Sequence, residues 1–222
     1  RDSETWLEFR RVLFRSAVRY ILYREIPFGS DGNYSTEVFL TRVNSDLSNN
    51  FGNLVSRTFG MMNKYFGGVV PATEKSENED DIMFEKNVLA KAEEVKSLMT
   101  KYEITKAVSA VFDIFTEANT YIQKVQPWVL AKEEDKTRLA SVMKNLLEAI
   151  RIGTELFSPF APESTSKVLV ALNKNPDAEF DNLDNFNGIE EGLTLGKLDI
   201  LFPRLDIEKE TQELKEIANA QN

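Results

Sequence analysis

Six polar residues between positions 42 and 64 have the types and the spacing to read the edges of nucleic-acid bases. Arg42, Asp46, Asn49, Asn53, Arg57 and Lys64 follow one another at three-, four- and seven-residue steps, which lines them along one side of an α-helix. A solvated helix face is ordinarily filled with glutamates and lysines paired four residues apart. Asparagine and arginine instead present flat amide and guanidinium groups, which suit base edges. Asparagine is a poor helix former, so several of them in mid-helix lower stability unless something else keeps them there. Taken alone, the residues leave two readings open: a wet face rich in asparagine, or a base-reading stripe.

The element that must carry the stripe runs from Ser35 to Phe66. It holds no proline, and Ser35 is placed to cap its first amides. Val43, Leu47, Phe51, Leu54, Met62 and Phe66 recur as a buried face should, and Gly67-Gly68 ends the helix. Before it, residues 17–25 read as a short helix stopped by Ile26-Pro27, followed by the turn-rich PFGSDGNYS. After it come an extended VVP and the acidic surface loop TEKSENEDD. Amphipathic helices are predicted over 82–101, 105–124 and 135–157, and a shorter one from Pro162 to about residue 172. Pro127 suits a first helical turn and sets Trp128 beside it, while Ser158-Pro159 stops the long helix before it. Residues 173–196 read as loop, LGKLDILFPRLD as extended, and IEKETQELKEIANAQ as a last helix. The fold class is all-α: an antiparallel helical bundle with a long, partly extended C-terminal tail.

Composition narrows the chemistry. With no histidine and no cysteine the 222 residues lack the commonest general base, any thiolate nucleophile and any Cys-based zinc site. Walker and GxGxxG loops are absent from the sequence. Glu77, Glu79, Asp80 and Asp81 lack EF-hand spacing and read as a solvated charge run, and Glu133, Glu134 and Asp135 as partners of a helix dipole. A net charge of −9 argues against a coat of positive charge for nucleic acid, so any such contact must be local. The helix of the stripe meets that condition, with three cations against two carboxylates. No apolar run is long enough for a membrane span.

Five stretches in order, REIPFGSDGNYS, RVNSDLSNNFGNLVSRT, NTYIQKVQPWVLAK, SPFAPES and LFPRLD, resemble bacterial methionyl-tRNA synthetase, a class I aminoacyl-tRNA synthetase, from Ala17 to about Asp206. The resemblance implies the C-terminal helical anticodon-binding region of a cytoplasmic enzyme that joins methionine to its tRNA with ATP. It further implies that ATP, magnesium and structural zinc are held by a catalytic domain carrying HIGH-type and KMSKS-type signatures, none of which is in these residues; this chain itself would hold no cofactor. The implied partner is methionine tRNA, elongator and initiator, with no membrane and with homodimerisation through a further C-terminal module.

In the family the asparagine and arginine of N-L-x-S-R, here Asn53 and Arg57, and the tryptophan of P-W, here Trp128, recognise the CAU anticodon. Asp46 and Asn49 share the helix face, and Asn119 matches the asparagine of N-x-Y. Gln123 and Gln126 stand where the family more often has aspartate and alanine. Residues 1–16 depart from the family pattern and read as a foreign junction, 17–34 as the end of the stem-contact fold, and 35–172 as the anticodon-binding bundle. Residues 173–206 then form a tail packed on the bundle, and 207–222 a last helix or linker. Alternatives are the anticodon domain of another class I enzyme, cysteinyl or valyl, or a helical interaction module with no tRNA dependence.

Overall fold

The computed structural model describes residues 15–27, 35–74, 76–133, 136–177 and 183–220, the last seven by backbone alone. The junction reading of residues 1–14, the turn-rich loop at 28–34 and the dipole partners Glu134 and Asp135 lie outside the described residues. A first helix, α1, occupies residues 15–25. The central element follows in three continuous parts: α2 (Thr36–Arg42), a π-helical segment (Val43–Gly52) and α3 (Asn53–Phe66). Then come α4 (Glu79–Thr100), α5 (Ile104–Val125), the single turn α6 (Pro127–Leu130), α7 (Thr137–Phe157), α8 (Pro162–Ala171) and α9 (Ile207–Ala220).

The π-helical segment was not foreseen, and its cause is legible in the burial pattern. Buried residues recur at 39/40, 43/44, 47/48 and 51/52, a strict four-residue repeat. An α-helix advances about 100° per residue, so such a repeat drifts by about 40° at each step. Turns closed by i→i+5 bonds are wider and take that drift back. The element therefore keeps one face on the core throughout. Ser35 precedes it without a side-chain cap, and its carbonyl accepts from Phe39 N–H at 2.9 Å. Gly67, left-handed at φ 61°, ends it. Phe66 is half-buried rather than core.

Side chains fix the directions of the bundle. Tyr20 of α1 donates to Asp46 at 2.6 Å and lies 4.9 Å from the Phe112 ring. Further along, Phe51 meets Phe115 at 4.7 Å, so the central element and α5 run the same way. Helix α4 opposes α5 through Asp80–Lys124 at 2.7 Å, stacked Phe84 and Tyr121 at 4.0 Å, and Lys91–Asp113 at 3.1 Å. Helix α7 also opposes α5: Phe157 lies against Phe112, while Tyr121 accepts from Asn145. Where α5 and α7 cross, Gly153 lets the Phe115 ring approach, since a Cβ there would sit 2.5 Å from Phe115 Cε1.

The C-terminal tail is extended but firmly seated. Val69 and Thr194 form an antiparallel bridge, Val70 N–H bonds Leu193 O at 2.8 Å, and Gly196 N–H bonds Ala171 O at 2.8 Å. Phe202 completes an aromatic cluster with Phe51. Among the described residues no helix is long and apolar enough to cross a membrane.

Under the tail, Arg151 of α7 bonds Glu148 at 2.8 Å and Glu155 at 3.2 Å. Burial raises the Glu155 carboxyl above its ordinary value of 4.5, with the Arg151 guanidinium pulling the other way. The folded chain thus holds that proton more tightly than the unfolded one. Its contribution to stability is full below pH 4.5 and is lost as pH rises through the folded value. Glu155→Gln should remove this dependence, so melting curves of the variant and the parent should diverge as pH rises above 4.5, with the parent losing ground. Parallel curves would refute the assignment.

Candidate nucleic-acid interface

The six residues of the polar stripe do not form one line, because the π turns split them. Arg42, Asp46 and Asn50 fall on a half-buried line, while Thr41, Ser45, Asn49 and Asn53 occupy an exposed one. Asp46 is engaged with its own bundle: it accepts from Tyr20, from Ser45 at 2.7 Å, and pairs with Arg42 at 3.5 Å. Burial, and then the Asp46 carboxylate beside it, push the Tyr20 phenol well up, so it stays a donor. Arg42 also forms an ion pair with Glu25 at 2.8 Å. This corner fastens α1 to the central element and leaves no free cation from Arg42.

Asn119 is likewise spent on architecture. Its amide nitrogen lies 3.0 Å from Asn50 O, 2.9 Å from Asn50 Oδ1 and 3.0 Å from Phe115 O. Asn50 in turn donates to Thr116 at 2.9 Å. Sequence reasoning missed Asn50, and the only signal for it is its place in the four-residue repeat. Its bonds set the register between the central element and α5.

That register decides what stands together. Arg57 is seven residues past Asn50, about 10 Å further along at 1.5 Å per residue, and α5 ends about 9 Å past Asn119. The first two turns of α3 therefore come level with the α5–α6 junction. Asn53 is exposed there and Arg57 half-buried, Asn49 is exposed a turn earlier beside the Asn50–Asn119 bonds, and among the described residues the side chains of all three make no hydrogen bond or ion pair. Lys64 is exposed near the far end, its ammonium 5.4 Å from the Tyr65 ring.

At the junction Gln126 is left-handed, φ 48°, a conformation that costs a residue with a Cβ. The bend turns the chain so that Pro127 starts α6 buried while Trp128 is 38% exposed. The neighbouring bundle end is locked by Asp81, which is buried and not part of a solvated run. It accepts from Ser76 at 2.6 Å and Tyr121 at 2.8 Å, with Arg138 at 3.5 Å. Among the described residues no cluster of acidic groups could hold a metal ion. What remains toward this end is a guanidinium fork, two amides and an indole, which among the described residues have no polar side-chain partner. Such a set can take flat, hydrogen-bonding, stackable groups: unpaired bases.

Two family models match the chain. One, described as tRNA synthetases class I (M), covers residues 6–59, so its range begins inside the arginine-rich opening. That range is about a quarter of the chain and is similar to class I aminoacyl-tRNA synthetases. The other, described as the anticodon binding domain of methionyl tRNA ligase, covers residues 70–221. The chain belongs to the methionyl-tRNA ligase family. The methionine–tRNA ligase of Clostridium perfringens is 40% identical over 205 residues, which is 92% of this chain and 32% of that protein. That of Clostridium tetani is 41% identical over 201 residues, 90% of this chain and 31% of the relative. The chain therefore spans under a third of these curated relatives. The crystal structure of the apo form of Mycobacterium tuberculosis methionyl-tRNA synthetase matches with a TM-score of 0.79 at 32% identity, over 86% of this chain and 39% of that one. The two family matches divide the candidate residues. Asp46, Asn49, Asn53 and Arg57 fall in the class I range and Asn119 and Trp128 in the anticodon-binding range, and the Asn119–Asn50 bonds join the two.

Proposed function

We propose that this region binds the anticodon arm of methionine tRNA, elongator and initiator alike, and reads CAU through Asn53, Arg57 and Trp128, with Asn49 alongside. The observations that carry the reading are the exposed indole at the α5–α6 bend and, on the element that Asn119 ties to α5, Asn53 and Arg57 without a polar side-chain partner among the described residues. Asp46 and Asn119 serve the site by holding α1 and α5 against the reading helix. The acidic remainder repels phosphate elsewhere and favours one docking pose. On this reading the parent is a cytoplasmic ligase that activates methionine with ATP. ATP, magnesium and zinc would be held by its catalytic portion; a Cys-based zinc site in particular needs thiolates that this sequence does not contain.

A gel shift of the purified chain with methionine tRNA and with the same tRNA of altered anticodon tests the proposal. Retention of the first at lower protein concentration is the expected result, with affinity falling as salt rises. Equal retention would refute anticodon reading, and no binding would favour the helical interaction module. Arg57→Lys keeps the charge and loses the fork, so it should cost roughly 1 kcal/mol of discrimination at one anticodon position. A uniform loss across anticodons would mean that Arg57 contacts only phosphate.

A further inference from the structure

We infer that Asn44 and Gly52 are positioning residues: they hold the π-helical segment that aims Asn53 and Arg57 at the anticodon. The inference rests on the anticodon reading and adds what sets the direction of its polar groups. Each π turn takes roughly one residue more than an α turn, so ten such residues set the downstream half back by on the order of half a turn. The azimuth of Asn53 and Arg57 therefore depends on the whole segment keeping its wide turns. The last of those turns closes at Asn53 itself, whose backbone N–H bonds Ser48 O, five residues back.

An α-helical register would satisfy the same backbone groups, so something outside the helix must select the wide one. On the buried side, the tail through Phe202 and Leu205 lies along the segment. Asn44 is 8% exposed and treats the tail as a strand would: its Nδ2 donates to Leu205 O at 2.9 Å and its Oδ1 accepts Leu205 N–H at 2.8 Å. Gly52 sits where the wide turn crowds in, with the tail in ordinary contact beside it. A Cβ there would lie 3.0 Å from Leu47 O, five residues back, and 3.8 Å from the Phe202 Cβ. Asn44 thus ties the tail to the first π turn, and Gly52 leaves room for the last. With either lost, the segment falls back toward α turns and carries Asn53 and Arg57 away from the α5–α6 bend.

The test uses the full chain with Asn44→Ala, Gly52→Ala and the milder Asn44→Asp, which keeps the bond from Leu205 N–H and loses the donated one. Asn173→Gly is the control. It cuts the other end of the same tail, where Asn173 donates to Thr194 O at 2.7 Å, and glycine suits its φ of 54°. Three quantities are read: the affinity ratio for methionine tRNA over the anticodon-altered tRNA per folded molecule, hydrogen exchange of the Asn53 amide, and the melting temperature. Asn44→Ala and Gly52→Ala should lower the ratio at least about fivefold, the smaller end of what one base-edge contact confers, and should speed exchange at Asn53. Asn44→Asp should lie between them and the parent, and Asn173→Gly should move neither reading. An unchanged ratio in the Asn44 and Gly52 variants, whatever their melting temperatures, overturns the inference and leaves these residues purely structural. A parent chain that binds both tRNAs alike overturns the anticodon reading, and this inference with it.

Discussion

Arg151→Ala should lower the stability of the folded chain by ~3–5 kcal/mol, because it strands a buried carboxylate. Side-chain exposure is 1% for Arg151 and 0% for Glu148. The guanidinium gives Nε to Glu148 Oε2, Nη1 to Glu155 Oε1, and Nη2 to the carbonyl of Asn185 at 3.1 Å. Glu148 uses its other oxygen for the Ile189 N–H at 2.6 Å. The pair is thus a clasp that turns the loop before the tail down onto α7. Gly188 lets that loop pass, since a Cβ there would lie 2.2 Å from Arg151 Nε. Replacing both charges, as Arg151→Met with Glu148→Leu, should cost less than Arg151→Ala alone, because no uncompensated charge remains. Urea unfolding of the two variants checks the order. Arg151→Ala within about 1 kcal/mol of the parent, the range of a surface pair, would mean the clasp is solvated.

That clasp also marks what a sequence can and cannot disclose. Glu148, Arg151 and Glu155 stand at the spacing of ordinary surface ion pairs, and nothing local distinguishes them from Lys91 and Glu94, which are such a pair. What buries them is a loop more than thirty residues away in the chain. The long helices themselves were legible, because each buries an apolar stripe of helical period, and two of them stop where a glycine or proline says they should, at Gly67 after α3 and Pro159 after α7. The central helix was legible as a length and a face but not as a ladder. Over so few turns the four-residue step of Val43, Leu47 and Phe51 reads as an ordinary helical face, and its drift shows only once the tail fixes which side stays buried, through Asn44 and Leu205, 161 residues apart. Hence the stripe reads as one helix face, while Asp46 on that face and Asn119, matched through the resemblance, are half-buried and bonded within the bundle. Their bonds to Tyr20 and Asn50 depend on packing partners that no periodicity names.

Trp128→Ala should fold nearly as the parent does and bind methionine tRNA ~1–3 kcal/mol more weakly, the cost of losing one stacking platform. A tryptophan in a helical bundle is ordinarily core, and truncating a packed indole costs ~3–5 kcal/mol of stability. The local structure argues against that here. Pro127 takes the buried place at the start of α6, Trp128 and Val129 are 38% and 44% exposed, and among the described residues no other ring touches the indole. The left-handed Gln126 is what turns this face outward, so the bend spends backbone strain on exposing an aromatic surface. Phenylalanine keeps a π-face but loses area and the indole donor, so Trp128→Phe should recover part of the affinity. Melting temperature and tRNA titration measured on the same preparations separate the two roles. A large fall in melting temperature with unchanged affinity per folded molecule would make Trp128 a structural residue and remove it from the anticodon site. A lost affinity that phenylalanine partly restores, on a fold that melts where the parent does, places the indole against a base.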